Sequence, residues 1–317
     1  MTSPASSPSP APPAAAVRWT GRSRGGRFGN WWFLQLIRYL GLWPAYLWLL
    51  PVAAYFTLAS PAAYRSSVDY LRRVLGPRPF WLWPFLVYRH FASHGIALLD
   101  RTAVIMGRSR IQCVFDGEAQ VKEAMAEERG VILLAAHVGS WEIGGHLLSR
   151  HGRPVNLVVL ERDGEGTRQV HAEALRAKRF QILTATDDPL RVVPIVAALR
   201  RGELVALHGD RVFGGASTTI PFLGSPAAFP VGAYLLAAAT GAPIIHAFAV
   251  RERLGHYRFL GFPVQHVPRR RGPEQAAVLE ACARDYAAHL ASVLRQYPFQ
   301  WYNFYPFWAE DEKHKQG

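Results

Sequence analysis

Cysteine is nearly absent. Two residues in 317, Cys113 and Cys282, exclude a disulfide scaffold and a Cys-rich zinc fold, and fit a reducing cytosolic face. No internal period of 20–50 residues occurs, which excludes a solenoid or propeller. The chain lacks an HExxH zinc motif and a GxSxG nucleophile elbow. Lysine is missing from residues 1–110, and acid is scarce there, with only Asp69 and Asp100. Disorder of the whole chain is also excluded, because 50% of the residues are hydrophobic.

What is present is unevenly placed. The net charge is +13 from 36 basic and 23 acidic residues. Residues 1–110 carry 13 Arg and a net charge of +11, whereas the remaining 207 residues are close to neutral at +2. Seven of the ten Trp lie in the first 110 residues. Arginine attracts anionic headgroups and tryptophan favours the membrane interface. A basic, Trp-rich region ahead of a near-neutral domain therefore predicts membrane docking. Nucleic acid also attracts basic aromatic surfaces, but it gives no reason for Arg clusters to flank uncharged apolar runs.

Residues 1–16 are almost entirely Pro, Ala and Ser and read as a disordered tail. They lack the basic start and apolar core of a secretory signal. Residues 17–110 read as a basic, Trp-rich, membrane-anchoring or interfacial helical region. Within it, residues 39–57 form a 19-residue run without charge, long enough to cross a bilayer core of about 30 Å. Pro44 and Pro51 interrupt that run and argue against a straight span. A bent or interfacial anchor, a single span and a buried core helix all stay open. A second apolar stretch, 80–88, has too few residues to span and reads as an interfacial or groove-lining helix.

After residue 110 the pattern changes. Strands are predicted at 131–138, 155–160, 181–185, 204–208, 243–250 and 257–266. Helices are predicted from 141 to 149 and at 166–180, 190–201, 230–240 and 273–296. Strands alternating with helices predict an α/β fold with helices on both faces of the sheet.

The segment AHVGSWEIGG (136–145) carries the strongest chemical signal. His137 lies at the C-terminal end of an apolar strand, where open α/β sheets place their sites. Glu142 follows five residues later. Its carboxylate can reach back to one imidazole nitrogen, fix the tautomer and leave the other nitrogen to act as a base. A solvated helix glutamate is the plainer alternative. His137, Glu142 and His146 could instead bind a metal. Ser140 reads as an N-cap or polar contact rather than a nucleophile.

HVGSWE resembles the H-x4-D/E motif of the lysophospholipid acyltransferase superfamily, and most closely its bacterial lipid A biosynthesis branch. Three further segments resemble that branch in order: HGDR (208–211), PFLGSPA (221–227) and GAPII (241–245). The aromatic stretch WYNFYPFW (301–308) resembles the wider group. The likeness covers roughly residues 30–308. The FPEGTR-type block of the glycerol-phosphate branch is not found. Asp210-Arg211 stands where lipid A enzymes usually carry Asp-Gln, which leaves the acceptor open.

The resemblance implies a mixed central sheet flanked by helices, glycerol-phosphate-acyltransferase-like, over residues 111–309. It adds an N-terminal apolar helical membrane anchor and leaves 310–317 as a charged tail. It implies an acyltransferase needing no cofactor and no metal. The acyl group would pass from an acyl carrier protein or acyl-CoA thioester to a hydroxyl of a membrane lipid or glycolipid, such as a lipid A precursor. An aryl-polyene or amino-acid-lipid acceptor is the alternative. His137 would be the general base and Glu142 its orienting group. Arg162 would bind a phosphate or carboxylate of either substrate, or be a solvated loop charge. Asp210 and Arg211 would hold the acceptor headgroup or order the site, or form an internal ion pair. Gly139, Gly214 and Gly215 would let backbone amides approach an oxyanion, or simply make turns. Core packing is favoured over an acyl groove for 301–308. The expected partners are an acyl donor, a lipid acceptor and an anionic membrane surface, with no nucleic acid. The expected location is the cytoplasmic face of a bacterial inner membrane, monotopic or single-pass. A metal-dependent lipid hydrolase and a non-enzymatic membrane-binding module are the readings from other classes.

Overall fold

The computed structural model describes residues 27–108, 111–127, 129–140, 143, 152–160, 181–185, 192–212 and 215–308. The predicted helices at 141–149 and 166–180 lie outside them, apart from Ile143.

Nine strands are described. Seven build one sheet: β1 (Gln112–Asp116), β2 (Val131–Ala135), β3 (Val155–Leu160), β4 (Gln181–Ala185), β5 (Leu204–His208), β8 (Ile244–Arg253) and β9 (His256–Gly261), in the order β1-β9-β8-β2-β5-β3-β4. The run β8-β2-β5-β3-β4 is parallel. The hairpin partner β9 runs antiparallel to β8, and β1 follows β9. The sheet is therefore mixed and mostly parallel, as expected. The helices α5 (Glu118–Ala126), α6 (Val193–Arg200), α7 (Gly232–Thr240) and α8 (Gly272–Gln296) flank it.

The continuous apolar reading of β2 follows from burial on both faces. Ile132 and Leu134 pack with Tyr234 of α7 and Tyr286 and Leu290 of α8. Val131 and Leu133 pack with Val121 and Ala124 of α5. The predicted strand at 257–266 starts at His256 and stops at Gly261, after which Gln265 makes a single bridge to Ile244.

A hairpin outside the main sheet is a feature the sequence reading missed. Strands β6 (Ser217–Phe222) and β7 (Ser225–Pro230) pair antiparallel across Leu223 and Gly224. Both turn residues have positive φ, 48° and 88°, which is the two-residue turn that matches strand twist. Pro221, Pro226 and Pro230 hide these strands, because proline normally argues against strand interiors.

The N-terminal region divides in two. Helices α3 (Pro61–Leu75) and α4 (Trp83–Ile105) send Tyr70, Leu71, Trp83 and Leu86 into the main core. The segment 80–88 forms a 3-10 turn, Phe80–Leu82, and the first part of α4. Helix α2 (Leu42–Ala59) instead buries only Ala45, Leu49 and Ala53, one stripe at four-residue spacing. It is the one described helix long and apolar enough to cross a membrane. Leu49 packs where Gly95 of α4 leaves room: a Cβ there would sit 2.3 Å from Leu49 Cδ1. The rest of α2 faces outward, with Trp43 74% and Leu58 84% exposed.

Buried Asp100 of α4 ties these layers together. Tyr46 of α2 donates to its Oδ1, and Tyr257 of β9 donates to its Oδ2 at 2.6 Å. Burial pushes this carboxyl up, against the two hydroxyls and the Arg251 charge. Tyr257→Phe should therefore lower stability by about 1–3 kcal/mol, the cost of an unmet buried partner. Urea denaturation followed by circular dichroism measures it, and an unchanged midpoint would contradict this role for Asp100.

Candidate active site

Register builds the centre of the site. Ala135 of β2 pairs with His208 of β5 in the parallel ladder. Two residues beyond each strand end come His137 and Asp210, so the two are brought side by side. His137 Nδ1 lies 2.8 Å from Asp210 Oδ1, and the His137 backbone N–H donates to Oδ2 at 3.0 Å. Asp210 is fully buried, while the His137 side chain is 25% exposed. The His208 ring stacks on that of His137, with centroids 4.1 Å apart.

Asp210 also accepts from Trp301 Nε1 at 2.8 Å and from Asn303 Nδ2 at 3.5 Å. Burial alone would raise its carboxyl pKa. The His137 charge and hydrogen bond, with the Arg211 and His208 charges, outweigh burial and hold it well below the usual carboxylate range. Arg211 is buried too. Its Nε donates to Asn303 Oδ1 at 2.7 Å and its guanidinium to Tyr302 O at 2.9 Å.

The turn after β2 is fixed by backbone contacts. Gly139 has φ +59° and donates to Gln300 O, while Ser140 N–H donates to Ala249 O. A Cβ on Gly139 would lie 1.9 Å from Ala249 O, so only glycine fits. Tyr302 N–H donates to His137 O at 2.9 Å. The segment 301–308 thus packs as core, as expected, and also supports the His137–Asp210 pair.

A third element reaches the site from α4. His90 Nε2 is 2.8 Å from Trp301 O, and its Nδ1 is 2.7 Å from Ser67 Oγ. His94 lies 4.6 Å from the Tyr302 ring and 5.3 Å from Phe304, centroid to centroid. Ser93 Oγ accepts from Arg251 and meets Tyr302 Oη.

Of the predicted site residues, the fold brings together His137, Asp210 and Arg211. Glu142, Arg162, His146 and Gly214 lie outside the described residues. Gly215 takes a positive φ with open space around it, as the turn reading expects. No group of three metal-ligating side chains occurs among the described residues. Sequence reasoning missed Trp301, Asn303, His90 and His94. A signal existed for the last two: His90, Ser93, His94, Ala97 and Asp100 recur at helical spacing and form a largely polar stripe on an apolar helix.

Burial lowers the His90 pKa to about 4, and it lowers those of His94 and of His246 in β8 to about 3. Each stays neutral in the folded protein while its unfolded counterpart takes a proton near pH 6.5. The unfolded state then binds more protons between about pH 6.5 and 4, so stability is full above that window and falls with pH through it. Each histidine contributes up to about 1.4 kcal/mol per pH unit. Asp210 adds little slope above about pH 5, because its unfolded carboxyl titrates lower. Denaturation midpoints should fall steadily from pH 7 to 5; a flat profile would contradict neutral burial of these rings.

The sequence profile of the bacterial lipid A biosynthesis acyltransferase family matches residues 32–310. A phosphatidylinositol mannoside acyltransferase of Mycobacterium tuberculosis (strain CDC 1551 / Oshkosh) is 27% identical over 203 residues, covering 62% of this chain and 60% of that protein. The protein of the same name from Mycolicibacterium smegmatis (strain ATCC 700084 / mc(2)155) is 24% identical over 189 residues, covering 59% and 60%. The chain thus spans about 60% of the length of the curated relatives it matches.

Proposed function

We propose that this chain, which belongs to the bacterial lipid A biosynthesis acyltransferase family, moves a fatty acyl group from a thioester to a hydroxyl of a membrane lipid. The observation that carries the reading is the His137–Asp210 pair at the ends of two adjacent parallel strands. His137 Nε2 takes the proton of the acceptor hydroxyl as its oxygen attacks the thioester carbonyl. The C–S bond then breaks, and the imidazolium returns the proton to the leaving thiolate. Asp210 holds the tautomer and stabilises the imidazolium during the step. This gives Asp210 the orienting role that the spacing assigned to Glu142; Glu142 remains proposed as a contributor, with Arg162 and Arg211 as binding groups for anionic parts of the substrates.

The donor is proposed to be an acyl carrier protein or acyl-CoA. The acceptor is proposed to be a sugar-bearing lipid, since the family description names lipid A and the relatives' names a mannoside of phosphatidylinositol. The basic N-terminal region and the outward face of α2 support docking on an anionic membrane, on the cytoplasmic face of a bacterial inner membrane. At the start of α4, Phe80 is 86% exposed, and Trp81 and Phe85 are exposed as well. Large apolar patches of this kind mark interaction surfaces.

His137→Ala should lower turnover by about 10²–10⁴, the usual worth of a general base. Asp210→Asn should lower it without loss of membrane binding. Mass spectrometry of total lipids from cells expressing each form reads this out. A lipid heavier by one acyl unit only with the native protein supports the reading and names acceptor and chain length. Full activity in the His137 variant removes the mechanism, and loss of activity on chelation would favour a metal-dependent hydrolase.

A further inference from the structure

The sheet carries a second imidazole beside His137 that the chemistry above does not use. In the parallel ladder Ala135 faces His208, the last residue of β5. His137 follows Ala135 by two residues, and residues two apart along a strand share a face. Register therefore brings the two rings onto each other. Their centroids lie 4.1 Å apart and their planes differ by 22°, which is a stacked arrangement.

The backbone that carries both rings is held closely. The Gly209 N–H and the Tyr286 hydroxyl both donate to Ala135 O, each at 2.8 Å. Gly209 permits this approach, since a Cβ there would lie 2.9 Å from Leu134 Cδ1 and 3.0 Å from Tyr286 Cζ. The end of β5 is thus fixed against the end of β2, and His208 with it.

The bond to Asp210 does not hold the His137 ring by itself. It fixes one edge, with Nδ1 2.8 Å from Oδ1. The torsion that turns an imidazole about its Cβ–Cγ bond is broad and soft, so the plane of the ring needs a second constraint. A ring packed against its face supplies one, because turning the imidazole drives an edge into His208. An aromatic face also attracts a cation within about 6 Å, and His137 becomes cationic as it takes the acceptor proton.

We propose that His208 is a positioning residue for acyl transfer: its stacked ring sets the plane of the His137 imidazole and lies over the imidazolium that forms in the step. The catalytic consequence rests on the acyl-transfer reading; the constraint on the ring does not.

Two variants of the full chain separate a ring from mere bulk. His208→Leu keeps a side chain of similar size without a π-face, and His208→Phe keeps the face. His208→Leu should lower kcat about tenfold, as for a misoriented base, with KM changed by less than about twofold. His208→Phe should restore most of that loss. Labelling with ¹³C-histidine gives a readout independent of activity, with the His137 ring resonance assigned by its loss in His137→Ala. That resonance should shift in His208→Leu, where the ring current of the neighbour is gone, and return towards its native position in His208→Phe. An unchanged kcat or an unshifted resonance in a folded His208→Leu variant overturns the proposal, as does an equal loss of kcat in both variants. Full activity in His137→Ala would instead overturn the functional reading and the catalytic consequence of the stack, while the resonance shift still decides whether His208 constrains the ring.

Discussion

A single buried carboxylate organises the site. Asp210 accepts hydrogen bonds from the His137 backbone and ring, from the Trp301 indole and from the Asn303 amide. An isolated charge at this depth would be strongly unfavourable. It is tolerated because its donors come from two separate parts of the chain, the turn after β2 and the 301–303 segment, and because the Arg211 charge lies close by. The same bonds fix the end of β2, the end of β5 and the C-terminal segment relative to one another. Truncating any one donor would thus disturb both packing and the orientation of the imidazole.

The sequence made the parts visible but not their pairing. The apolar run VILLAAHV marks a strand covered on both faces, and His137 at its end is legible from that alone. HGDR after a second apolar run marks Asp210 in the same way. The bond between the two depends on Ala135 facing His208 across the ladder, and no local pattern encodes which parallel strands become neighbours. Trp301 and Asn303 are harder still. They reach Asp210 across 91 and 93 residues, and an aromatic-rich tail reads as packing unless its polar handles are followed one by one. Prolines concealed the β6–β7 hairpin for a local reason, since the rule against proline in strands is weakest in a two-stranded ribbon outside the main sheet.

The N-terminal helices were legible in composition and misleading in arrangement. One basic, Trp-rich region from 17 to 110 contains helices of two kinds. Tyr70, Leu71 and Trp83 belong to the same core as the sheet. Leu36, Ala45, Leu49 and Leu99 form a separate, smaller cluster. Composition averages over both, because tryptophan and leucine serve a protein core and an interface equally well.

Helix α4 explains why both kinds coexist. Along it, His90, Ser93, His94 and Asp100 share one face, and that face points into the protein towards Trp301, Tyr302 and Tyr257. Phe85 and Leu98 lie exposed on the other side. The buried side of α4 is otherwise apolar, with Trp83, Leu86, Val87 and Leu99, so this polar stripe runs through an apolar face. Such an arrangement is stable only if the inward polar groups find partners and the outward apolar ones avoid water. The first condition is largely met by the bonds to Ser67, Trp301, Tyr302 and Tyr257. The second is met in part by α2, through the Leu49–Gly95 contact, but α2 then presents Trp43, Leu47 and Leu58 outward in its turn. The apolar face is passed from α4 to α2 rather than removed. An apolar environment beyond α2, as the proposed membrane docking would supply, would complete the burial that the protein alone leaves open, on the same helix pair whose inner face meets Trp301 and Tyr302.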